Sequence, residues 1–268
     1  MVGSPFEKSR KGKEDNMKKI ICMLLTLVML FALAACGAPA KTTSPATAAP
    51  KAAESAPAAE AEEEAAPAEE TAPAEEAAPV EEAVEAEDIL GEKTETSYAS
   101  KFLGIQATFP DNWTVLDDEQ TAQVMGYVAD VIDSEDLAEL LRESGSACDL
   151  YAMAVDQSGD NLNIQLEDLG TLYGIVLSEE KYLEIAAPQL EEAMGQMGME
   201  NVQLEKGTYS FAGQDHVSVR LTATYSGVPI VERLVLLKAG NYMGVVTAFS
   251  LDESRVDAVL ACFEPYSA

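Results

Sequence analysis

Histidine is almost missing from this chain: His216 is the only one in 268 residues. One imidazole is too few for a histidine-built metal site, and a Ser-His-Asp triad needs it to converge with partners the sequence does not signal. There is no Gly-x-Ser-x-Gly turn, and no glycine-rich loop precedes a helix to cradle a phosphate. Basic residues are also scarce, 17 against 47 acidic ones, for a net charge of −30. Such a field repels nucleic acid and anionic headgroups, so nucleic acid is excluded as a partner. Four cysteines are too few for a disulfide framework. The longest apolar run, Ile20 to Leu33, has 14 residues. As a helix it would span roughly 21 Å, short of the ~30 Å hydrocarbon core of a bilayer.

What is present begins with that run. Met17-Lys18-Lys19 precedes it and small residues close it, the three-part layout of a secretory leader. Residues 1–16 are polar and charged and read as an extension upstream of a start at Met17. The end of the leader, Leu33-Ala34-Ala35-Cys36, resembles the lipobox of bacterial lipoproteins: an aliphatic residue, two small residues, then cysteine. Small residues let the backbone enter a peptidase cleft, and the thiol carries the lipid. The resemblance implies a signal peptide over 17–35, cleavage between Ala35 and Cys36, and a diacylglyceryl thioether on Cys36. It places the chain on the extracytoplasmic face of a bacterial cell membrane. Two or more acyl chains suit that role, because one chain alone binds a membrane only marginally. The competing reading is an ordinary leader with a coincidental cysteine.

Residues 36–90 are almost all Ala, Pro, Glu, Thr and Ser. A six-residue unit recurs, as in Ala65-Ala66-Pro67-Ala68-Glu69-Glu70 and Thr71-Ala72-Pro73-Ala74-Glu75-Glu76. Frequent proline breaks long helix and the absence of large apolar side chains denies a core, so a disordered linker is expected. It would reach roughly 40 Å as a flexible coil and up to ~160 Å if wholly polyproline-like. A stalk that lifts a domain off the membrane is one reading. Low-complexity drift of no selected length is the other.

Residues 91–268 carry the folded part, and from 89 onward 30 acidic residues face 9 basic ones. Tyr98 to Pro110 reads as two short strands, followed by a Pro110-Asp111-Asn112 turn into a third. Asp117-Asp118-Glu119 opens a helix expected to run to about Asp133, with Val124, Tyr127, Val128 and Val131 inward. Ser134 to Glu143 predicts a second helix on Leu137, Leu140 and Leu141. Cys148–Val155 and the alternating Leu162-Asn163-Ile164-Gln165-Leu166 predict a hairpin. Ser178 caps a long helix to about Met197, with Tyr182, Leu183, Ile185, Ala186, Leu190 and Met194 inward and a kink at Pro188. Four strands follow, at 201–211, 214–225, 229–238 and 241–250. Asp252 opens a closing helix with Val256, Val259, Leu260 and Phe263 inward. This order predicts an α+β domain with helices covering one antiparallel sheet.

Three stretches then resemble the PsbP-like fold shared with DcrB-type lipoproteins: Phe109-Pro110-Asp111-Asn112-Trp113, Asn161-Leu162-Asn163-Ile164 and Phe211-Ala212-Gly213. The resemblance implies an α/β/α sandwich and a role in docking or assembly on larger complexes. Some members bind metal through histidine and acidic residues, a site that His216 alone does not carry over.

The remaining candidates weigh toward structure. His216 suits a strand surface. Asp156, Asp160 and Asn161 offer oxygens to calcium, but without the spacing of a calcium loop, and a hairpin turn accounts for them better. Asp130, Asp133, Glu135, Asp136 and Glu139 form an acidic cluster that reads as a basic-partner site or a solvated face. Met194, Met197 and Met199 read as core or an adaptable lip, and Trp113 as a core anchor. Cys148 and Cys262 read as buried free thiols or a single disulfide. No catalytic residue, cofactor or metal site is expected. The expectation is a non-enzymatic binding or scaffolding module whose partners are the membrane, through its lipid, and an envelope protein or cell-wall component. A small-molecule or cation-binding module and a carboxylate-dependent hydrolase are the alternatives.

Overall fold

The computed structural model describes residues 89–127 and 133–267. Cys36, Ala35, the linker up to residue 88, Val128, Asp130 and Val131 lie outside the described residues, and Ile89 and Leu90 at the linker's end lie within them. The fold is α+β, built on two antiparallel sheets and five helices. The strands are β1 (Glu92–Lys93), β2 (Ser97–Ser100), β3 (Ile105–Thr108), β4 (Trp113–Val115), β5 (Ser146–Ala154), β6 (Asn161–Asp168), β7 (Met199–Phe211), β8 (Gln214–Tyr225), β9 (Val228–Ala239), β10 (Tyr242–Ser250) and β11 (Phe263–Pro265). The helices are α1 (Asp118–Met125), α2 (Ser134–Ser144), α3 (Gly170–Val176), α4 (Glu179–Gln196) and α5 (Glu253–Leu260). The larger sheet has seven strands in the order β4-β5-β6-β10-β9-β8-β7, and the smaller has four, β1-β2-β3-β11.

Local chemistry sets the element ends. Asp117 makes a capping box with Gln120 at the start of α1, accepting from its amide at 2.8 Å. The helix stops at Gly126, whose φ of 66° is left-handed. The helix expected to reach Asp133 is therefore eight residues long. Asp133, Ser178 and Asp252 cap α2, α4 and α5 through their side chains. The turns Ala212-Gly213 and Ser226-Gly227 hold both central residues at positive φ, which matches the twist of the strands they join.

One face of the large sheet packs against the small sheet and α5, through Phe109, Trp113, Ile164, Val246, Val256 and Phe263 among others. The opposite face carries α4, with Tyr182, Leu183, Leu190 and Met194 on Val219, Leu221, Leu234 and Val245. Ile185 was expected inward but is 40% exposed, because it lies off the stripe that Tyr182, Ala187, Leu190 and Met194 define. Phe263 is buried as expected, but in β11 opposite Ala107 rather than in the closing helix. The second sheet forms because β11, at the end of the domain, returns to pair with β3 near its start. Packing begins at Ile89, which is wholly buried against Leu137, Leu141 and Leu166.

Candidate binding site

Strand alternation sends Leu162, Ile164 and Leu166 of β6 to the face under the small sheet, where all three are fully buried. The same alternation sends Asn161, Asn163, Gln165 and Glu167 to the other face. There, register places Tyr151 and Thr247 on either side of Asn163, and Cys148 and Val245 on either side of Gln165. Toward β10, α4 covers this face. Toward β5, Met125 at the end of α1 packs with Cys148 and Tyr151. The polar column thus runs along the sheet between two helices. It is not a solvated face: its four residues are between 0 and 6% exposed.

Buried polar groups are almost always hydrogen-bonded, and an open one costs free energy. This column breaks that rule in a regular way. The Asn161 amide nitrogen donates to the Gly159 carbonyl at 3.1 Å, and its oxygen has no partner. The Gln165 amide nitrogen donates to Ser146 Oγ at 2.5 Å, and its oxygen has no partner. The Tyr127 hydroxyl accepts from the Cys148 amide and is also in hydrogen-bond contact with the Gln165 side chain, whose Oε1 itself has no partner. Tyr182 of α4 donates to one oxygen of Glu167 at 2.8 Å, and the other is open. Asn163, at the centre, makes no hydrogen bond through either end of its amide. Each tied nitrogen or oxygen holds its side chain and leaves the remaining polar atom without a partner.

Burial pushes Glu167 up to about 8, against the opposing effect of the Tyr182 hydrogen bond. Glu232 of β9 shares this face, in the row Asn161, Phe249, Glu232, and burial pushes it up to about 7. Its Oε1 is also open. Glu167 is therefore mostly an uncharged carboxylic acid at neutral pH. Burial raises the Cys148 thiol to about 12, so it stays protonated and unreactive.

The other candidates are satisfied within the fold. His216 Nδ1 lies 3.1 Å from Glu179 Oε1, and Glu179 also accepts from the Val217 and Lys238 amides, joining α4 to β8 and β9. Asp156 and Asp160 converge, but on the guanidinium of Arg255, which takes the place a cation would have. Asp133 caps α2, with Glu135 and Asp136 in its first turn. Met194 and Met199 are core, and Met197 packs against it. Trp113 stacks on Phe109, with ring centroids 6.2 Å apart. Cys148 and Cys262 are both free, with Cys262 half-buried just after α5. Among the described residues, no group of three or more His, Cys, Asp or Glu is placed to hold a metal. A cavity of about 630 Å³ opens beside Lys93, but that ammonium is held by Asp118 and by the Asp149 carbonyl.

No family model matches the chain. No curated protein matches it. Solved structures do show distant likeness. One is a protein from Bacteroides thetaiotaomicron, at TM-score 0.37 and 11% identity over 64% of this chain and 48% of that one. A second is LpqN, involved in cell envelope biogenesis of Mycobacterium tuberculosis, at TM-score 0.36 and 10% identity over 61% of this chain and 83% of that one. A third is a Pseudomonas aeruginosa protein of unknown function, at TM-score 0.24 and 14% identity over 37% of this chain and 63% of that one. The chain thus spans about half the length of the first of these. At such TM-scores the likenesses carry no functional argument.

Proposed function

We propose that the chain is a lipid-anchored module of the bacterial envelope, tethered at Cys36 on the extracytoplasmic side of the membrane, whose PsbP-like domain binds a ligand rather than transforming one. The observation that carries the binding half is the column Asn161, Asn163, Gln165 and Glu167, with its open polar atoms. A fold keeps such atoms open at a cost in stability, and a ligand that completes them is the physical reason to keep them. The anchoring half rests on Leu33-Ala34-Ala35-Cys36. Outside Glu167 and Glu232, whose carboxyls burial pushes up, the pairing of several acids with cations stands against a hydrolase. Asp156 and Asp160 share Arg255, Asp118 and Asp149 share Lys93, and Glu205 and Glu253 share Arg220. A carboxylate held on a cation is poorly placed to serve as a general acid.

Metabolic labelling with an alkyne-tagged palmitate tests the anchor. The wild-type chain takes up label and fractionates with membranes, and Cys36→Ser takes up none. Label on Cys36→Ser would remove the lipobox reading. Crosslinking on intact cells tests the binding half. A specific adduct on the wild-type chain that disappears in Asn163→Leu supports it, and adducts that do not respond to that substitution count against it.

A further inference from the structure

α3 turns its aliphatic side chains outward. Leu172, Ile175 and Val176 are 56%, 75% and 54% exposed. They stand at i, i+3 and i+4, so they form one stripe on the helix. The opposite stripe is held down. Tyr173 and Leu177, four residues apart, pack against the core that α4 covers, and Gly174 is buried beside Asn241. A Cβ on Gly174 would come within 2.2 Å of the Asn241 side-chain oxygen and 2.7 Å of its Cα. The glycine therefore lets the helix sit this close to the turn between β9 and β10, and the fold fixes which stripe faces out. Residues 169–178 carry no charge. The charges that bound them are engaged: Asp168 accepts from the Gly170 amide at 2.7 Å, and Glu179 lies against His216 and accepts from the Val217 and Lys238 amides.

The position of the stripe says what meets it. Asn241, against which Gly174 rests, adjoins Tyr242, and Tyr242 packs in the same cluster as Ile89. Ile89 is also buried against Leu166, two residues before the end of β6, and α3 follows that strand. The chain thus enters the domain at the end of the large sheet that carries α3. Upstream of that entry, residues 36–88 lead back to Cys36. A second copy of the chain does not account for the stripe, because three aliphatic side chains offer on the order of 300 Å² against about 800 Å² per partner in a stable complex. The linker does not cover it either, since residues 36–88 hold no aromatic residue, leucine, isoleucine or methionine. A bilayer needs no matching partner surface. We propose that α3 is a membrane-contacting element, whose Leu172, Ile175 and Val176 enter the interfacial layer of the bilayer that carries the Cys36 lipid. This rests on the lipid-anchor reading of Cys36. As a coil the tether reaches roughly 40 Å, so it holds the stripe at a high effective concentration near the membrane, and the contact needs little affinity of its own. The lipid sets attachment and α3 sets which end of the domain faces the bilayer. The acidic surface still repels anionic headgroups, so the contact is made through the uncharged segment.

The test uses the full lipidated chain in dioleoylphosphatidylcholine vesicles, with two reporter variants, Ile175→Trp and Val228→Trp. Val228 is 46% exposed and starts β9, whose other end, Ala239, pairs with Tyr242 beside α3. A strand of 12 residues puts it roughly 35–40 Å from that end. Both side chains are exposed, so neither substitution disturbs the core, and both reporters share tryptophan's own preference for interfaces. The native Trp113 is 8% exposed and adds the same background to each. The vesicles carry lipid brominated along its acyl chains, which quenches tryptophan on contact. The expected result is a blue shift and quenching at 175 and neither at 228. Adding Leu172→Ser and Val176→Ser to the Ile175→Trp chain is expected to lower that quenching. Equal quenching at both positions, none at 175, or quenching at 175 that ignores the two serines overturns the proposal. A blue shift at 175 that grows with protein concentration and not with lipid assigns the stripe to a second copy and also overturns it. Flotation with the vesicles separates the two readings. A chain that floats with 175 unquenched keeps the anchor and loses the contact, and a chain that does not float loses both.

Discussion

Asp149 and Glu167 are two buried carboxylates on neighbouring strands, and the fold treats them differently. Asp149, at the irregularity in β5, accepts from the Gly91 amide at 3.0 Å to each oxygen and from the Tyr98 hydroxyl at 2.6 Å, with Lys93 at 3.9 Å. Gly91 and β2 each contribute a donor, and β1 contributes the nearby Lys93 cation. Burial still raises its pKa, and Lys93, Tyr98 and Gly91 oppose that rise. Glu167 has one donor, Tyr182, and an Oε1 with no partner. The first arrangement is a clasp that fastens the start of the domain, β1 and β2, to the large sheet. The second belongs to a column in which the open valence recurs at every rung. Burial alone therefore does not distinguish architecture from function here. On the proposed binding role, completeness of hydrogen bonding does.

The comparison is easiest to break at the clasp. Asp149→Ala leaves the Gly91 amide and the Tyr98 hydroxyl without their acceptor, removes the carboxylate 3.9 Å from Lys93, and is expected to destabilise the domain by about 3–5 kcal/mol in urea unfolding. Gly91→Ala acts on the same clasp from the other side, since its Cβ would sit 2.3 Å from the Tyr98 ring.

The next effect is pH dependence. Glu167 and Glu232 bind protons more tightly in the folded chain, at about 8 and about 7 against an ordinary 4.5. The folded state then holds more protons than the unfolded one, so stability falls as pH rises from about 4.5 and levels off above about 8. The total fall is on the order of a few kcal/mol. Glu167→Gln should remove the part of the slope that remains between pH 7 and 8. A slope unchanged by that substitution would show that Glu167 does not hold its proton in the folded chain.

A smaller effect with the opposite sign comes from Asn163→Leu. It replaces an open amide by an apolar group of similar shape and is expected to stabilise the domain by about 1–3 kcal/mol. The smallest effect is at the hairpin turn. Arg255 already occupies the space between Asp156 and Asp160, so millimolar calcium is expected to leave the Tm unchanged. A calcium-dependent rise would return that turn to the list of sites.

Much of the fold was legible because its signals are local. Ala212-Gly213 and Ser226-Gly227 mark turns, Ser178 and Asp252 mark helix starts, and the four long strands between them lie within two residues of where the pattern puts them. Of the small sheet, β2 and β3 were legible as the two short strands over 98–110, and β1 and β11 were not. β1 has two residues and β11 three, too few to show a period, and β11 pairs with β3 across most of the domain. The short helix α3 was missed because Leu172, Ile175 and Val176 are exposed and give no inward stripe. The candidate site was half legible. The alternation Asn161, Leu162, Asn163, Ile164, Gln165, Leu166 announces a strand with one polar face, and such a face ordinarily meets water. What sets it apart is its chemistry: three amides and no lysine, arginine or aspartate at the alternating positions, suited to hydrogen bonding without charge. That signal is in the sequence, but only burial gives it meaning.

If the β6 column is kept open for a ligand while the Asp149 clasp is kept closed for the fold, truncating the two moves stability in opposite directions. The most direct test is urea unfolding of wild type, Asp149→Ala and Asn163→Leu, run side by side without ligand. A lower midpoint is expected for Asp149→Ala and a higher one for Asn163→Leu. A lower midpoint for both would contradict it, because Asn163 would then be one more strut of the fold.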